Sequence, residues 1–298
     1  MKQVVIYGAN GWLGRSAIAA TFDLFPDSYS NSILLLGSKN SNVTIRGKNL
    51  EIKEALSGLH LIEENSIFVN CAFLRREQVL KLGEKEYVKQ NLHVMELPIR
   101  VLRKRRVFSL VNLSSGVAGL VQSGVHDSSQ DIYAVLKRRS ELELAHEAAF
   151  VGANFLNCRV FSVSGSYLNE FENLALSLFI AQALKSEPIN VRSPESRRSY
   201  IDGVNLMTAL LKLAVNGETG NYDSGGICVT MKELAETVLR IIDSRESDII
   251  LGKEKEKSFF GDFEKFNELS TQLGVKILDL DEQVQRTLMA FRATKNKI

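Results

Sequence analysis

Near its start the chain reads Val4-Val5-Ile6-Tyr7-Gly8-Ala9-Asn10-Gly11-Trp12-Leu13-Gly14. A short apolar, β-branched run stops at a glycine, two more glycines follow at spacings of three, and a helical pattern begins at Arg15. That order constrains the fold more than any other feature, because a buried strand must turn at once into a helix. Gly8 permits the sharp turn, Gly11 permits backbone to approach a pyrophosphate, and Gly14 permits the helix to pack against the strand. The helix start offers free N–H groups and a positive dipole end to an anion. The stretch predicts a dinucleotide site bounded by Gly8, Asn10, Gly11, Trp12, Leu13 and Gly14. A tight βα turn in some other α/β protein is the alternative.

The rest of the chain keeps alternating. Apolar runs at 33–36, 67–71, 107–113 and 155–163 are separated by helical patterns at 15–25, 87–102 and 132–150. Alternation of this kind predicts an α/β fold, a parallel sheet with helices on both faces. The near-continuous apolar strands fit a sheet buried on both sides. Past about residue 165 the pattern turns mostly helical, at 174–184, 206–215, 231–242, 264–273 and 282–292. A Pro/Ser/Arg-rich loop at 187–198 and a short strand at 220–224 interrupt it. A smaller, mostly helical lobe is expected, with a cleft for substrate.

Composition excludes more than it assigns. The 298 residues carry a net charge of +2, which gives no reason to expect nucleic acid. The basic run Arg103-Lys104-Arg105-Arg106 ends a helical pattern and is read as a solvated helix terminus. The alternating charges at 253–257 are read as a solvated loop. Cys71, Cys158 and Cys228 lie far apart, with no Cys/His cluster at metal-ligand spacing, so reduced thiols and no metal are expected. No apolar run reaches the ~18 residues of a membrane span, and the first strand begins too early for a signal peptide. A cytoplasmic protein with no membrane partner is the expectation.

Two further stretches carry chemistry. In Tyr133-Ala134-Val135-Leu136-Lys137 the tyrosine and lysine share one helix face. A phenol titrates near ~10, and a neighbouring ammonium lowers that value. The pair can therefore pass a proton to or from a hydroxyl. In Asn112-Leu113-Ser114-Ser115-Gly116 an apolar strand ends in two hydroxyls, at the place where open α/β sheets bind ligands. A serine there can steady a developing oxyanion. Each stretch also has an ordinary explanation, an incidental helical pair and a turn or cap serine.

Taken in this order, the three stretches resemble an extended short-chain dehydrogenase/reductase of the nucleotide-sugar epimerase/dehydratase family. That family's G-x-x-G-x-x-G, strand-end Ser/Thr and Y-x-x-x-K correspond to Gly8/Gly11/Gly14, Ser114 and Tyr133/Lys137. Asn70-Cys71-Ala72 resembles the strand end that lies along the cofactor, and Asn91 the asparagine that helps position the lysine. The segment from Arg159 to Gly165 resembles Arg-x-x-Asn-x-Tyr-Gly. Arg197-Arg198-Ser199-Tyr200-Ile201 resembles the segment whose arginine meets the substrate's phosphates. The resemblance implies a Rossmann-type NAD(P)-binding domain over residues 1–163, with 204–227 returning to it, and a substrate-binding lobe over 164–203 and 228–298. It implies Ser114, Tyr133 and Lys137 as catalytic residues, with Ser115 as the fallback for Ser114. Cys71, Ala72, Asn91, Tyr133 and Lys137 would line the cofactor, and Ser115, Phe161, Ser162 and Arg198 the substrate. A homodimer is implied, paired through helices 87–102 and 132–150, with Leu142, Leu144 and Phe150 as apolar surface.

Departures from the family pattern narrow the reaction. The family's substrate-contacting Asn is Ser162, its Tyr before the glycine is Ser164, and its usual Asp after the Arg-x-aromatic segment is Asn205. The Asp-Glu pair of sugar 4,6-dehydratases is replaced by Ser115-Gly116, which rejects that reaction. The Cys of 3,5-epimerising reductases is Gly116, and His126 is read as a solvent-facing loop residue. After the second strand, Gly37-Ser38-Lys39-Asn40 has no acid to hold the adenosine ribose of NAD. Ser38 and Lys39 suit a 2′-phosphate, with Arg15 and Arg46 adding charge, so NADP is expected ahead of NAD. The expected function is an NAD(P)-dependent oxidoreductase of nucleotide-sugar metabolism, reducing a 4-keto group with Tyr133 as acid/base. A 4-epimerase with retained NAD, and a non-catalytic dinucleotide sensor on the same fold, are the alternatives.

Overall fold

The computed structural model describes residues 2–26, 32–122, 131–168, 174–243 and 248–295; His126 lies outside them. Among the described residues thirteen strands run in order: β1 Val4–Tyr7, β2 Ile33–Gly37, β3 Ser41–Ile45, β4 Lys48–Glu54, β5 Ile67–Asn70, β6 Ser109–Ser115, β7 Asn154–Val160, β8 Ser162–Ser164, β9 Ile189–Val191, β10 Arg197–Asp202, β11 Gly220–Asp223, β12 Ile227–Thr230 and β13 Ile249–Leu251. Eight of them form one sheet, ordered β11-β7-β6-β5-β1-β2-β4-β3. β1 lies parallel between β2 and β5, and β5, β6 and β7 continue in parallel. The chain thus winds outward from β1 in both directions. The reversal falls between β1 and β5, and sheets of this kind bind ligands at the C-terminal strand ends beside such a reversal.

The period of two along the strands sets the core. Val5, Leu36, Phe68 and Leu110 point to one face, where they meet Leu97 and Val101 of the Glu84–Lys104 helix and Leu144 and Ala148 of the Ile132–Val151 helix. Each such buried large side chain contributes about 2 kcal/mol of transfer free energy. Leu144, expected on a pairing surface, therefore belongs to the core. Leu142 and Phe150 are 54% and 81% exposed. Asn70, the last residue of β5, stands in register with Asn112 and Asn157, midway along β6 and β7. Asn70 Nδ2 donates to Asn112 Oδ1 at 2.9 Å, and Asn112 Nδ2 to Asn157 Oδ1 at 2.8 Å.

The β3–β4 hairpin was not expected. Arg46 and Gly47 both take positive φ, 49° and 77°, as a two-residue type I′ turn requires. Val43, Ile45 and Ile52 are its buried side chains.

The chain divides into two compact units, Met1–Val160 with Met207–Tyr222, and Phe161–Leu206 with Asp223–Ile298. The segment returning to the first unit is shorter than 204–227, because β12 pairs antiparallel with β10 in a three-stranded sheet of the second unit. The run read as one strand at 155–163 is split, with β7 in the large sheet and β8 beside β10. The second unit adds a β13–β9 pair and helices Ala175–Leu184, Met231–Ile242, Phe263–Gln272 and Leu280–Lys295. Phe179, Ile180, Leu234, Val238, Val284 and Leu288 pack in its core. Among the described residues no helix is long and apolar enough to cross a membrane.

Candidate active site

The glycine turn is tight. Gly8 has φ 86°, and a Cβ there would lie 2.7 Å from Ala72 N and 2.9 Å from the carbonyl carbon of Cys71. At Gly14 a Cβ would lie 2.8 Å from Ala9 Cα and 2.9 Å from the carbonyl carbon of Gly8. Gly11 caps the Trp12–Leu24 helix without a side-chain bond to its N-terminus. Its first N–H groups are therefore open to an external anion. The indole Nε1 of Trp12 is buried without a partner, and Leu13 is half-buried. Asn10 Nδ2 donates to Ser41 Oγ at 3.0 Å, which ties the turn to the hairpin. A glycine turn packed this tightly, with Gly8 against the residues that follow β5 and an uncapped helix behind it, fits a pyrophosphate.

At the same end of the sheet stands the Ile132–Val151 helix. Asp131 starts it, with Oδ1 accepting from Ala134 N at 3.2 Å and Oδ2 paired with Arg76 at 2.8 Å. The Tyr133 hydroxyl is hydrogen-bonded to Ser115. Burial pushes this phenol up, and the Ser115 bond acts against that. Lys137 is 7% exposed; its Nζ donates to Leu113 O at 2.8 Å and lies 4.0 Å over the Phe73 ring. Burial lowers its pKa to about 7, opposed by Cys71 and Glu141. Burial pushes the Cys71 thiol up to about 12, opposed by Lys137.

Two expectations need correction. Ser115, the fallback, meets Tyr133, whereas the Ser114 hydroxyl is buried with no hydrogen-bond partner. Neighbouring strand residues point to opposite faces, so only one of the two hydroxyls can meet the phenol. Asn91 is fully buried, and both ends of its amide bond backbone groups. Its Oδ1 accepts from Leu74 N at 2.9 Å and its Nδ2 donates to Tyr87 O at 3.2 Å.

Sequence reasoning missed Phe73 and Glu141. Glu141, one turn beyond Lys137, is 2% exposed. It takes Arg159 bidentately at 2.9 Å and 2.9 Å, and Arg138 at 2.7 Å. Burial raises its carboxyl, but Arg159 and Arg138 outweigh burial and hold it below the usual carboxylate range. Glu141→Gln leaves the Arg159 guanidinium without its counter-ion. Urea unfolding is expected to show a loss of about 2–3 kcal/mol; a loss near zero would show that the pair contributes little.

Ser38 and Lys39 are exposed beyond β2. Arg46 does not join them, because it pairs with Asp23 on the first helix. In the second unit the Phe161 ring lies 4.8 Å from that of Phe259, tilted by 48°, and Phe161 N donates to Ser224 Oγ at 2.9 Å. Ser162 bonds the buried Tyr200 hydroxyl. Arg198 faces Glu256 at 3.5 Å, and its Nε is buried without a partner. Asp202, rather than Asn205, supplies the carboxylate of this segment: it accepts from Val204 N at 3.0 Å and Asn205 N at 3.1 Å and pairs with Arg286 at 3.3 Å. Among the described residues no group of three or more His, Cys, Asp or Glu could hold a metal.

Together these features define a Rossmann-type α/β fold with a glycine turn after β1 and a serine, tyrosine and lysine gathered at the ends of β5 and β6. A model of the NAD-dependent epimerase/dehydratase family matches residues 4–223, and the chain belongs to that family. UDP-glucuronic acid decarboxylase 3 of Arabidopsis thaliana is 34% identical over 87 residues, 28% of this chain and 25% of that protein. Decarboxylase 6 of the same plant is 35% identical over 86 residues, 28% and 25% of the two chains. The chain thus spans about a quarter of the length of the curated relatives it matches. Among solved structures, UDP-N-acetylglucosamine 4-epimerase from Methanobrevibacter ruminantium M1, in complex with UDP-N-acetylmuramic acid, has a TM-score of 0.78 at 20% identity, covering 98% of this chain and 99% of that one. UDP-glucuronic acid 4-epimerase from Bacillus cereus, in complex with UDP-glucuronic acid and NAD, has a TM-score of 0.71 at 15% identity, covering 99% and 100%. At these identities the likeness is one of fold.

Proposed function

We propose that this protein interconverts a hydroxyl and a ketone at C4 of a nucleotide-activated sugar, working as a 4-ketoreductase. The observation that carries the reading is the Tyr133 hydroxyl bonded to Ser115, one helical turn from Lys137 and at the same sheet end as the glycine turn. A nicotinamide dinucleotide with its pyrophosphate at that turn would supply the hydride. Tyr133 then gives its proton to the oxygen that becomes the hydroxyl. Ser115 holds that oxygen by a hydrogen bond. Lys137, when protonated, stabilises the phenolate left behind, and Leu113 O keeps its ammonium in place. Arg198 suits the substrate's diphosphate, as a planar bidentate cation. A homodimer through the Glu84–Lys104 and Ile132–Val151 helices belongs to the same proposal, with Leu142 and Phe150 as exposed apolar residues.

NADP is the proposed cofactor. Glu54 stands level with Gly37 at the end of β2. Its carboxylate is taken up by Leu56 N at 3.0 Å and Ser57 N at 2.8 Å, as a helix cap, which leaves Ser38 and Lys39 for a 2′-phosphate. A 4-epimerase that retains NAD is the second reading, favoured by the 4-epimerases among the structural neighbours. Denaturing protein purified without added cofactor, and weighing any dinucleotide released, separates the two. An empty protein that binds NADPH at least about tenfold more tightly than NADH, as one extra charge-assisted bond would give, supports the reductase. Retained NAD would overturn the NADP reading and favour the epimerase. Binding without oxidation or reduction of any nucleotide sugar would leave the sensor.

A further inference from the structure

No motif marks Phe73, yet both members of the proposed acid/base pair touch its ring. Lys137 Nζ lies 4.0 Å over the ring centroid. The Tyr133 ring meets it edge-on, at 5.7 Å and 82°. The segment that carries Phe73 is pinned from two helices. Leu74 N donates to Asn91 Oδ1 at 2.9 Å, and Leu74 O accepts from the Tyr87 hydroxyl at 2.8 Å. Both partners lie on the Glu84–Lys104 helix and are fully buried. Two residues further on, Arg76 pairs at 2.8 Å with Asp131, the 4% exposed cap of the helix that bears Tyr133 and Lys137. A loop residue is thus held at a fixed place against both functional side chains.

We propose that Phe73 is a positioning residue, whose ring covers the Lys137 ammonium, keeps it at a set spacing from Tyr133 and so fixes the protonation of the pair. The inference rests on Tyr133 and Lys137 being the acid/base pair. Two effects of the ring oppose each other. Its π-face attracts the ammonium and favours the charged form. Its bulk keeps water away and favours the neutral form. The other charged or titratable groups facing Lys137 are Cys71 at the end of β5 and Glu141 on its own helix. Those facing Tyr133 are Asp131, Glu77, Arg76 and Tyr87, beside the Ser115 hydroxyl.

Because the effects oppose, two substitutions must move Lys137 in opposite directions. Phe73→Leu keeps an apolar cover and removes the π-face, so the Lys137 midpoint is expected to fall by about one pH unit. Phe73→Ala lets water in, and the midpoint is expected to rise by about one unit or more. The experiment follows the Lys137 ε-methylene in the whole protein with carbon-13 lysine by NMR, assigned by its loss in Lys137→Arg. In the unsubstituted protein the signal is expected upfield, from the ring current of Phe73, with a midpoint of about 7. That shift should vanish in Phe73→Leu. An unshifted signal in the unsubstituted protein overturns the proposal even where a variant fails to fold. So do midpoints that stay put in both variants or move the same way. The acid/base reading fails separately, by undiminished turnover in Tyr133→Phe, which leaves the Lys137 titration unchanged.

Discussion

Turnover of Tyr133→Phe is expected to fall by about 10²–10⁴-fold, the usual contribution of a positioned acid or base, while dinucleotide affinity stays as it was. The substitution removes one oxygen. It leaves the ring that packs edge-on against Phe73 and the Asp131 cap that starts the helix. Ser115 loses its partner, but it lies at a strand end where water can replace a hydroxyl. Reduction and oxidation of a panel of nucleotide sugars with NADPH, NADH and their oxidised forms would give kcat and KM. Binding can be read separately from quenching of Trp12, the chain's one tryptophan, at the first position of the helix after the glycine turn. A fall in kcat with unchanged binding places the phenol in the transition state. Full turnover would remove Tyr133 from the chemistry and, with it, the reason to read this site as an oxidoreductase.

The large sheet was legible because its signals are local. A β-branched run, a glycine and a helix start lie within eleven residues, and the parallel strands announce themselves by continuous apolar runs. That same continuity hid the choice between Ser114 and Ser115. A strand buried on both faces has no polar alternation to say which side chain points where, and a shift of one residue reverses the face. The hairpin could have been read: Arg46-Gly47 between alternating buried positions is a turn signal at close range. Glu141 also had a signal, four residues beyond Lys137 on the same helix face.

Other parts of the site depend on contacts between segments far apart in sequence. Asn91 meets Leu74, and Arg76 meets Asp131, across gaps that no period reports. Asn91 was linked to Lys137 by resemblance. The structure instead gives it the backbone of the segment whose Phe73 covers that lysine. In the second unit the carboxylate that the resemblance placed at position 205, where this chain has Asn205, is supplied by Asp202, which takes two successive N–H groups and an arginine.

Gly14→Ala is expected to weaken dinucleotide binding by about 100-fold or more, the scale on which a displacement of one ångström acts at a site, and to lower stability by about 1–3 kcal/mol. The added methyl would lie 2.8 Å from Ala9 Cα and 2.9 Å from the carbonyl carbon of Gly8. Those are backbone atoms, and they cannot step aside. Gly8 N and Ala9 N both donate to Leu36 O, at 3.0 Å and 3.2 Å, and Cys71 N holds Tyr7 O at 2.9 Å. The helix must therefore tilt away from the turn, taking with it the N–H groups that would face the anion. Gly47→Ala is the control. It also sits at positive φ, 77°, but its Cβ would meet nothing within 4 Å, so it should cost about 1 kcal/mol and leave affinity alone. Titration by Trp12 quenching and unfolding in urea measure both quantities for both variants. If Gly14→Ala bound dinucleotide as well as the unsubstituted chain, the phosphate would have to sit elsewhere. If both variants lost affinity alike, the effect would belong to general destabilisation and not to the turn.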